Sequence, residues 1–380
     1  MERILHSLQH LRWVESIVEF IRSHVVLTVA LTLALLTSAI VTPDAEYFEY
    51  IEYKTLTCLF CTLAVICALK NISFFTVVAR KIVNLTGNTR AAILALVYIT
   101  FIGSMLIAND MALITFLPLG YFVLSSTGKQ KYMAFTFIMQ NIAANLGGML
   151  TPFGNPQNLY LYSHFNIPTG EFMSIMLLPF AVAVGLITVC CLFVKKESLT
   201  LNTNSEVKLG FGRTAIYLVL FAYSIAIVFD MIPYWTGLII IPASLWFMDK
   251  KALRDVDYPL LFTFVCFFIF AGNMARIGVV NDLLSSLLNK NTLVVSALSC
   301  QVISNVPSAI LLSQFTANYA DLLVGVNIGG AGTLIASLAS LITFGEYSHY
   351  NKDGIKKYVV MFSAFNFGFL AILLVVCSIF

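Results

Sequence analysis

The sequence predicts an all-α polytopic membrane protein, built as an inverted structural repeat with two re-entrant helical hairpins and two broken transmembrane helices. Three observations lead there. The 380 residues are 59% hydrophobic and only 11% charged, too little charge to cover a soluble surface. Apolar stretches close to the roughly 20 residues needed to cross a bilayer core of about 30 Å recur from residue 25 to the C-terminus. Glycine, proline and asparagine interrupt four of these stretches, where lipid offers freed backbone groups no partner.

Taken in order, residues 1–23 alternate Leu, Ile, Val, Trp and Phe with Arg, His and Glu at helical spacing. They read as an amphipathic interfacial helix, without the apolar core or small-residue cleavage site of a signal peptide. Residues 24–380 form a single membrane domain. Apolar segments at about 25–42, 54–69, 171–194, 212–229, 234–248, 258–275 and 358–380 read as ordinary spans. Region 90–125 is broken at Asn109-Asp110 and region 291–316 at Ser304-Asn305-Val306-Pro307; both are expected to be re-entrant hairpins. Regions 132–163 and 323–345 are expected to cross once as broken helices.

Basic residues test this topology. With the N-terminus inside, 19 of the 22 Lys and Arg residues fall on the cytoplasmic side, and only Lys54, Arg276 and Lys290 fall outside. That is the bias expected of a multi-pass cytoplasmic-membrane protein. Reading 90–125 as a single crossing would invert every later loop and destroy it. The net charge of +3 is small and dispersed among loops, so nothing points to nucleic acid. Cys58-x-x-Cys61 is a lone pair on an apolar helix, the five histidines are scattered, and no constellation suggests an enzyme.

Two halves of the chain align. N-L-G-G-M-L-T (145–151) lies over N-I-G-G-A-G-T (327–333), and L-I-A-N-D-M-A-L-I (106–114) lies over V-I-S-N-V-P-S-A-I (302–310). The repeats run at about 54–194 and 234–380 and have opposite orientation in the predicted topology. Inverted repeats with helices interrupted at corresponding positions point to a secondary transporter whose site lies between them near the midplane. Half-helix N-termini attract anions, while unwound carbonyls with Asn, Ser and Thr oxygens suit a hard cation such as sodium.

The candidate binding residues follow from the breaks. They are Asn109, Asp110, Asn145, Gly147, Gly148, Thr151, Gly154, Asn155 and Asn158 in the first half, with Ser304, Asn305, Ser308, Asn327, Gly329, Gly330, Thr333 and Ser337 in the second. Sodium is expected at Asn109, Asp110, Asn145, Ser304, Asn305 and Asn327. Asp110 is the one acid inside a predicted hairpin, where a charge costs about 2.5–3.5 kcal/mol on insertion scales. Its bland reading is a helix cap. For the glycines the bland reading is close helix packing, and for Arg276 it is snorkelling to the interface.

Asn109-Asp110 with Leu117-Pro118, Asn145-Leu-Gly-Gly148 with Gly154-Asn155-Pro156-Gln157-Asn158, and Ser304-Asn305 with Asn327-Ile-Gly-Gly330 resemble the ion transporter superfamily over roughly residues 25 to 380. That group includes divalent-anion/sodium symporters, citrate transporters, arsenite permeases and one class of sodium/proton antiporters. The resemblance implies two re-entrant hairpins, a scaffold that commonly forms homodimers, and elevator-like alternating access. It implies transport of a small anion, a di- or tricarboxylate or an inorganic oxyanion, coupled to sodium or protons; an arsenite-type exporter or a sodium/proton antiporter is the alternative. In dicarboxylate symporters both hairpin tips read Ser-Asn-Thr. Here the second tip keeps Ser304 and Asn305 with Val306 third, whereas Ala108-Asn109-Asp110 looks more like the arsenite-permease branch and Gly154–Asn158 like anion permeases.

Overall fold

The computed structural model describes residues 24–199 and 209–379, so the expected interfacial helix at 1–23 lies outside the described residues. The described chain is all-helical. Its uninterrupted apolar helices are α1 (Val25–Ile40), α2 (Tyr53–Asn71), α4 (Thr89–Ile107), α8 (Thr169–Leu192), α9 (Phe211–Val228), α10 (Tyr234–Met248), α12 (Tyr258–Arg276) and α18 (Ile355–Ile379), with the short α3 (Phe74–Asn84) and α11 (Lys250–Arg254) between them. Six helical stretches are long and apolar enough to cross a membrane, and the protein is a multi-pass membrane protein.

The interrupted regions resolve into paired helices. α4 meets α5 (Asn109–Ser126) at the single residue Ala108, and α14 (Thr292–Ile303) meets α15 (Asn305–Leu312) at Ser304. Ala108 has φ 65° and ψ 153°, and Ser304 has φ 72° and ψ 161°. This backbone region is essentially reserved for glycine and costs roughly 1–3 kcal/mol for any other residue. The other two regions split into α6 (Met133–Gly147) and α7 (Pro156–His164), and into α16 (Tyr319–Ile328) and α17 (Leu338–Tyr350). Each unwinds at its Gly-Gly. Asn88 and Asn291 cap α4 and α14 by accepting from Ala91 N (3.0 Å) and Val294 N (2.8 Å).

α3 and α13 (Gly278–Lys290) precede the two helix pairs. Both are too short to span a membrane and carry polar residues. Small residues let the pairs pack on the unwound helices. A Cβ on Gly147 would lie 2.4 Å from Phe101 O and 2.6 Å from Ser104 Oγ, and one on Gly329 would lie 2.9 Å from Ala297 Cα and from Cys300 Sγ. Phe101 and Ser104 stand eight and five residues before Asn109, as Ala297 and Cys300 stand before Asn305.

Polar contacts between distant loops fall into two sets. In one, Arg276 pairs with Asp44 (2.7 Å) and Glu46 (3.4 Å), Lys54 with Asp230 (2.6 Å) and His164 with Glu52 (2.8 Å). Arg276 is therefore an ion-pair anchor rather than a side chain merely reaching for the interface. In the other set, Glu197 receives Lys129 (2.6 Å), Lys131 (2.7 Å) and the Tyr132 hydroxyl (2.9 Å), while Asn71 donates to Asp249 (3.1 Å). α2, 19 residues and so about 28 Å long, separates the Lys54 pair at its start from the Asn71–Asp249 contact at its end. Both ends of the α4–α5 pair meet Glu197: Thr89 N donates to its carbonyl (2.9 Å), and Lys129 follows α5.

Two predictions follow from these contacts. The hydrogen bonds from Lys129, Lys131 and Tyr132 hold the Glu197 carboxyl down at about 2. A depressed carboxylate contributes stability above its unfolded value, and that contribution disappears as pH falls from about 4.5 toward 2. Thermal unfolding in detergent should accordingly show a smaller loss of stability between pH 5 and pH 3 for Glu197→Gln than for the wild type; parallel pH curves would count against the ion-pair cluster. Ala108→Gly should leave the protein as stable or about 1 kcal/mol more stable, whereas Ala108→Val should destabilise it, as read from thermal midpoints.

Candidate functional site

The two helix junctions carry the same local hydrogen bonding. Asn109 Oδ1 accepts from Asp110 N at 2.9 Å, and Asn305 Oδ1 accepts from Val306 N at 2.9 Å. Behind the junctions, Thr151 Oγ1 donates to Met105 O (2.9 Å) and Thr333 Oγ1 donates to Gln301 O (3.1 Å). Met105 and Gln301 each stand four residues before their junction asparagine, so these contacts correspond in register as well as in kind.

Buried amides join the halves. Asn109 Nδ2 donates to Asn145 Oδ1 (3.2 Å); Asn155 Nδ2 donates to Asn145 O (3.2 Å) and to Asn327 Oδ1 (3.3 Å); Asn327 Nδ2 donates to Asn158 Oδ1 (2.6 Å). The glycines make room for them. A Cβ on Gly148 would lie 2.4 Å from Asn155 Oδ1, and one on Gly330 would lie 3.2 Å from Asn305 Nδ2 and 3.7 Å from Asn145 Oδ1. Asn109, Asn145, Asn155, Asn158, Asn305 and Asn327 thus converge, each no more than 4% exposed.

Other candidates hold the unwound segments in shape. Asn158 Nδ2 donates to the carbonyls of Gly148, Met149 and Thr151 (3.1–3.3 Å). Gly154 N donates to Thr151 O (3.2 Å), and Ser304 Oγ and Asn305 N both donate to Ala336 O (3.3 and 2.9 Å). Ser308 and Ser337 stand apart from the amide cluster: Ser308 bonds Ser299 (2.9 Å), and Ser337 caps α17 and bonds Ser340 (3.0 Å).

Two residues escaped the sequence reading. Gln301 Nε2 donates to Gly329 O (2.8 Å) and Ala331 O (3.3 Å), while its Oε1 accepts from Thr333 N (2.9 Å). It does for the second break what Asn158 does for the first. Its signal was a lone amide in an apolar helix, four residues before the junction. Gln157 donates to Asn327 Oδ1 (3.4 Å) and faces a cavity; it sat in plain view inside Gly-Asn-Pro-Gln-Asn.

That cavity, about 470 Å³, is where the junctions open. The first residues of four helices line it: Asn109 and Asp110 of α5, Pro156 and Gln157 of α7, Asn305 to Pro307 of α15, and Leu338 of α17. Asp110 does not cap its helix. Its Oδ1 is buried without a hydrogen-bond partner, as are Asn145 Nδ2, Asn155 Oδ1 and Gln157 Oε1. Unsatisfied buried polar atoms cost roughly 1–3 kcal/mol each, so Asp110 and Gln157 on the cavity wall, with Asn145 and Asn155 joined behind Asn109, mark a place shaped for polar ligands.

The sequence has relatives. A family model described as citrate transporter matches residues 13–324. An uncharacterized transporter of Methanocaldococcus jannaschii is 33% identical over 299 residues, covering 78% of this chain and 82% of its own, and an inner membrane protein of Escherichia coli is 28% identical over 280 residues, covering 71% and 73%. With most of its length matched, the chain belongs to the citrate transporter family of membrane transporters.

Proposed function

We propose that the protein is a secondary active transporter of a small anion, coupled to sodium or protons, working by elevator-type alternating access. One observation carries this reading: four helix N-termini, one unpartnered acid and the unsatisfied amide oxygen of Gln157 open on a single cavity. N-terminal N–H groups and helix dipoles favour an anion. Asp110 and the unpartnered amide oxygens of Asn155 and Gln157 supply hard ligands for a cation beside it. The arsenite-type exporter or sodium/proton antiporter remains the second reading, favoured by the unpartnered Asp110 carboxylate as a proton-carrying group.

In this proposal α4–α5 and α14–α15 are re-entrant hairpins, and the two halves are inverted repeats. Support comes from Glu197 meeting both ends of the first pair and from the register-matched contacts of Thr151 and Thr333. The loops placed outside by the basic-residue count pair with one another, as do those placed inside, in keeping with a cytoplasmic N-terminus. The junctions and breaks are tied into one hydrogen-bonded body. By contrast, α2, α9, α10 and α11 share an apolar core of their own, including Cys61, Tyr217, Ile241 and Ala252. The first body is the moving unit, and the second is the scaffold through which a homodimer would form.

Uptake into proteoliposomes under imposed sodium or proton gradients tests the proposal. Asp110→Asn should lose gradient-driven accumulation by at least about tenfold, the size of one lost charged contact, while anion exchange persists. Unchanged sodium and pH dependence would remove Asp110 from coupling. Gln301→Ala leaves Gly329 O and Thr333 N without their partner and should cost about 2–4 kcal/mol of stability. Ser308→Ala, which removes one partly buried hydroxyl contact, should cost under about 1 kcal/mol. Cation dependence should weaken in the Gln301 variant only, and equal effects in both would show that Gln301 has no special role.

A further inference from the structure

The lining of the cavity is more specific than an anion site needs to be. Among the described residues that line it only Asp110 is charged, and none is Lys, Arg or His. Among the described residues the positive potential comes from the four helix N-termini, each equivalent to about half an elementary charge. Together they supply about two positive charges, and an ionised Asp110 cancels one. The cavity therefore balances one negative charge on a ligand, or two when Asp110 holds a proton or sodium. A trianion would keep at least one uncompensated charge among buried groups, which proteins avoid.

Apart from Asn109, Asp110, Gln157, Thr263, Ser304 and Asn305, the lining is apolar. α1 contributes Val29 and Leu33, α12 contributes Phe267 and Phe270, and α17 contributes Leu341. A volume of about 470 Å³ lies within the range of sites for organic small molecules. An inorganic oxyanion of a few atoms would leave most of that apolar surface without a partner, whereas an aliphatic or aromatic body would fill it.

We infer that the substrate is a carboxylate of one or two negative charges carrying an apolar body, and neither a fully ionised tricarboxylate nor an inorganic oxyanion. The inference rests on the transport reading above and narrows its substrate class.

The test uses purified full-length protein and two readouts, ligand-induced thermal stabilisation and counterflow in proteoliposomes. Hexanoate, benzoate and adipate would be compared with succinate, citrate and sulfate at pH 8, where citrate is a trianion. The expected result is stabilisation and exchange by hexanoate, benzoate or adipate at concentrations at least tenfold below those of citrate or sulfate. Asp110→Asn, which removes one negative charge, should shift preference about tenfold from hexanoate toward adipate. Phe267→Leu, a variant chosen to preserve folding, should weaken the apolar acids more than succinate. Citrate or sulfate acting at lower concentrations than the apolar acids would overturn the substrate class and leave the anion transporter standing. Silence of every anion in both readouts would overturn the transport reading and this inference with it.

Discussion

A helix may stop inside a membrane only if something other than water takes its backbone groups, and the interior of this protein is organised around that requirement. At each of the two central breaks a single primary amide does most of the satisfying. Asn158, projecting from α7, collects three carbonyls of the first break. Gln301, projecting from α14, collects two carbonyls and supplies an acceptor to the second. Glycines occur where these and neighbouring amides approach too closely for a side chain. The strained residues Ala108 and Ser304 sit at the adjoining junctions, held by the contacts around them.

The two staples occupy different positions in the aligned halves, and the difference has mechanical meaning. Through Asn158 the first break is bound to its own following helix and, by way of Asn327, to the other half of the chain. Through Gln301 and Ala336 the second break is bound to its neighbouring helix pair. Movement of the second pair would therefore disturb the second break directly. The first pair is bound to the first broken helix through Asn109 and Asn145, through Thr151 and Met105, and through Gln140, which donates to Thr100 and Phe116.

Family membership and the polar centre reinforce one another without being the same evidence. The family match covers the first junction, the first break and the second junction, and stops at residue 324, before the second Gly-Gly. The geometry nonetheless continues past that point, since Gly329 and Thr333 take up the same relations to the second helix pair that Gly147 and Thr151 hold to the first.

By itself the sequence determined the class of protein, the positions of the spans and the four interruptions, because hydropathy over about 20 residues and the backbone demands of Gly, Pro and Asn are local properties. It also marked Asn109, Asn145, Asn305 and Asn327 as partners, since repetition made them stand out. Only the tertiary structure decided which candidates face one another. Ser308 and Ser337 turned to local partners, Arg276 found an acidic loop more than two hundred residues away, and Gln301 and Gln157 came into the centre. The physical reason is that an amide in an apolar helix has no preferred partner until packing brings a carbonyl within hydrogen-bonding distance. Likewise, the charge of the cavity depends on where helices begin relative to one another, a property no single segment contains.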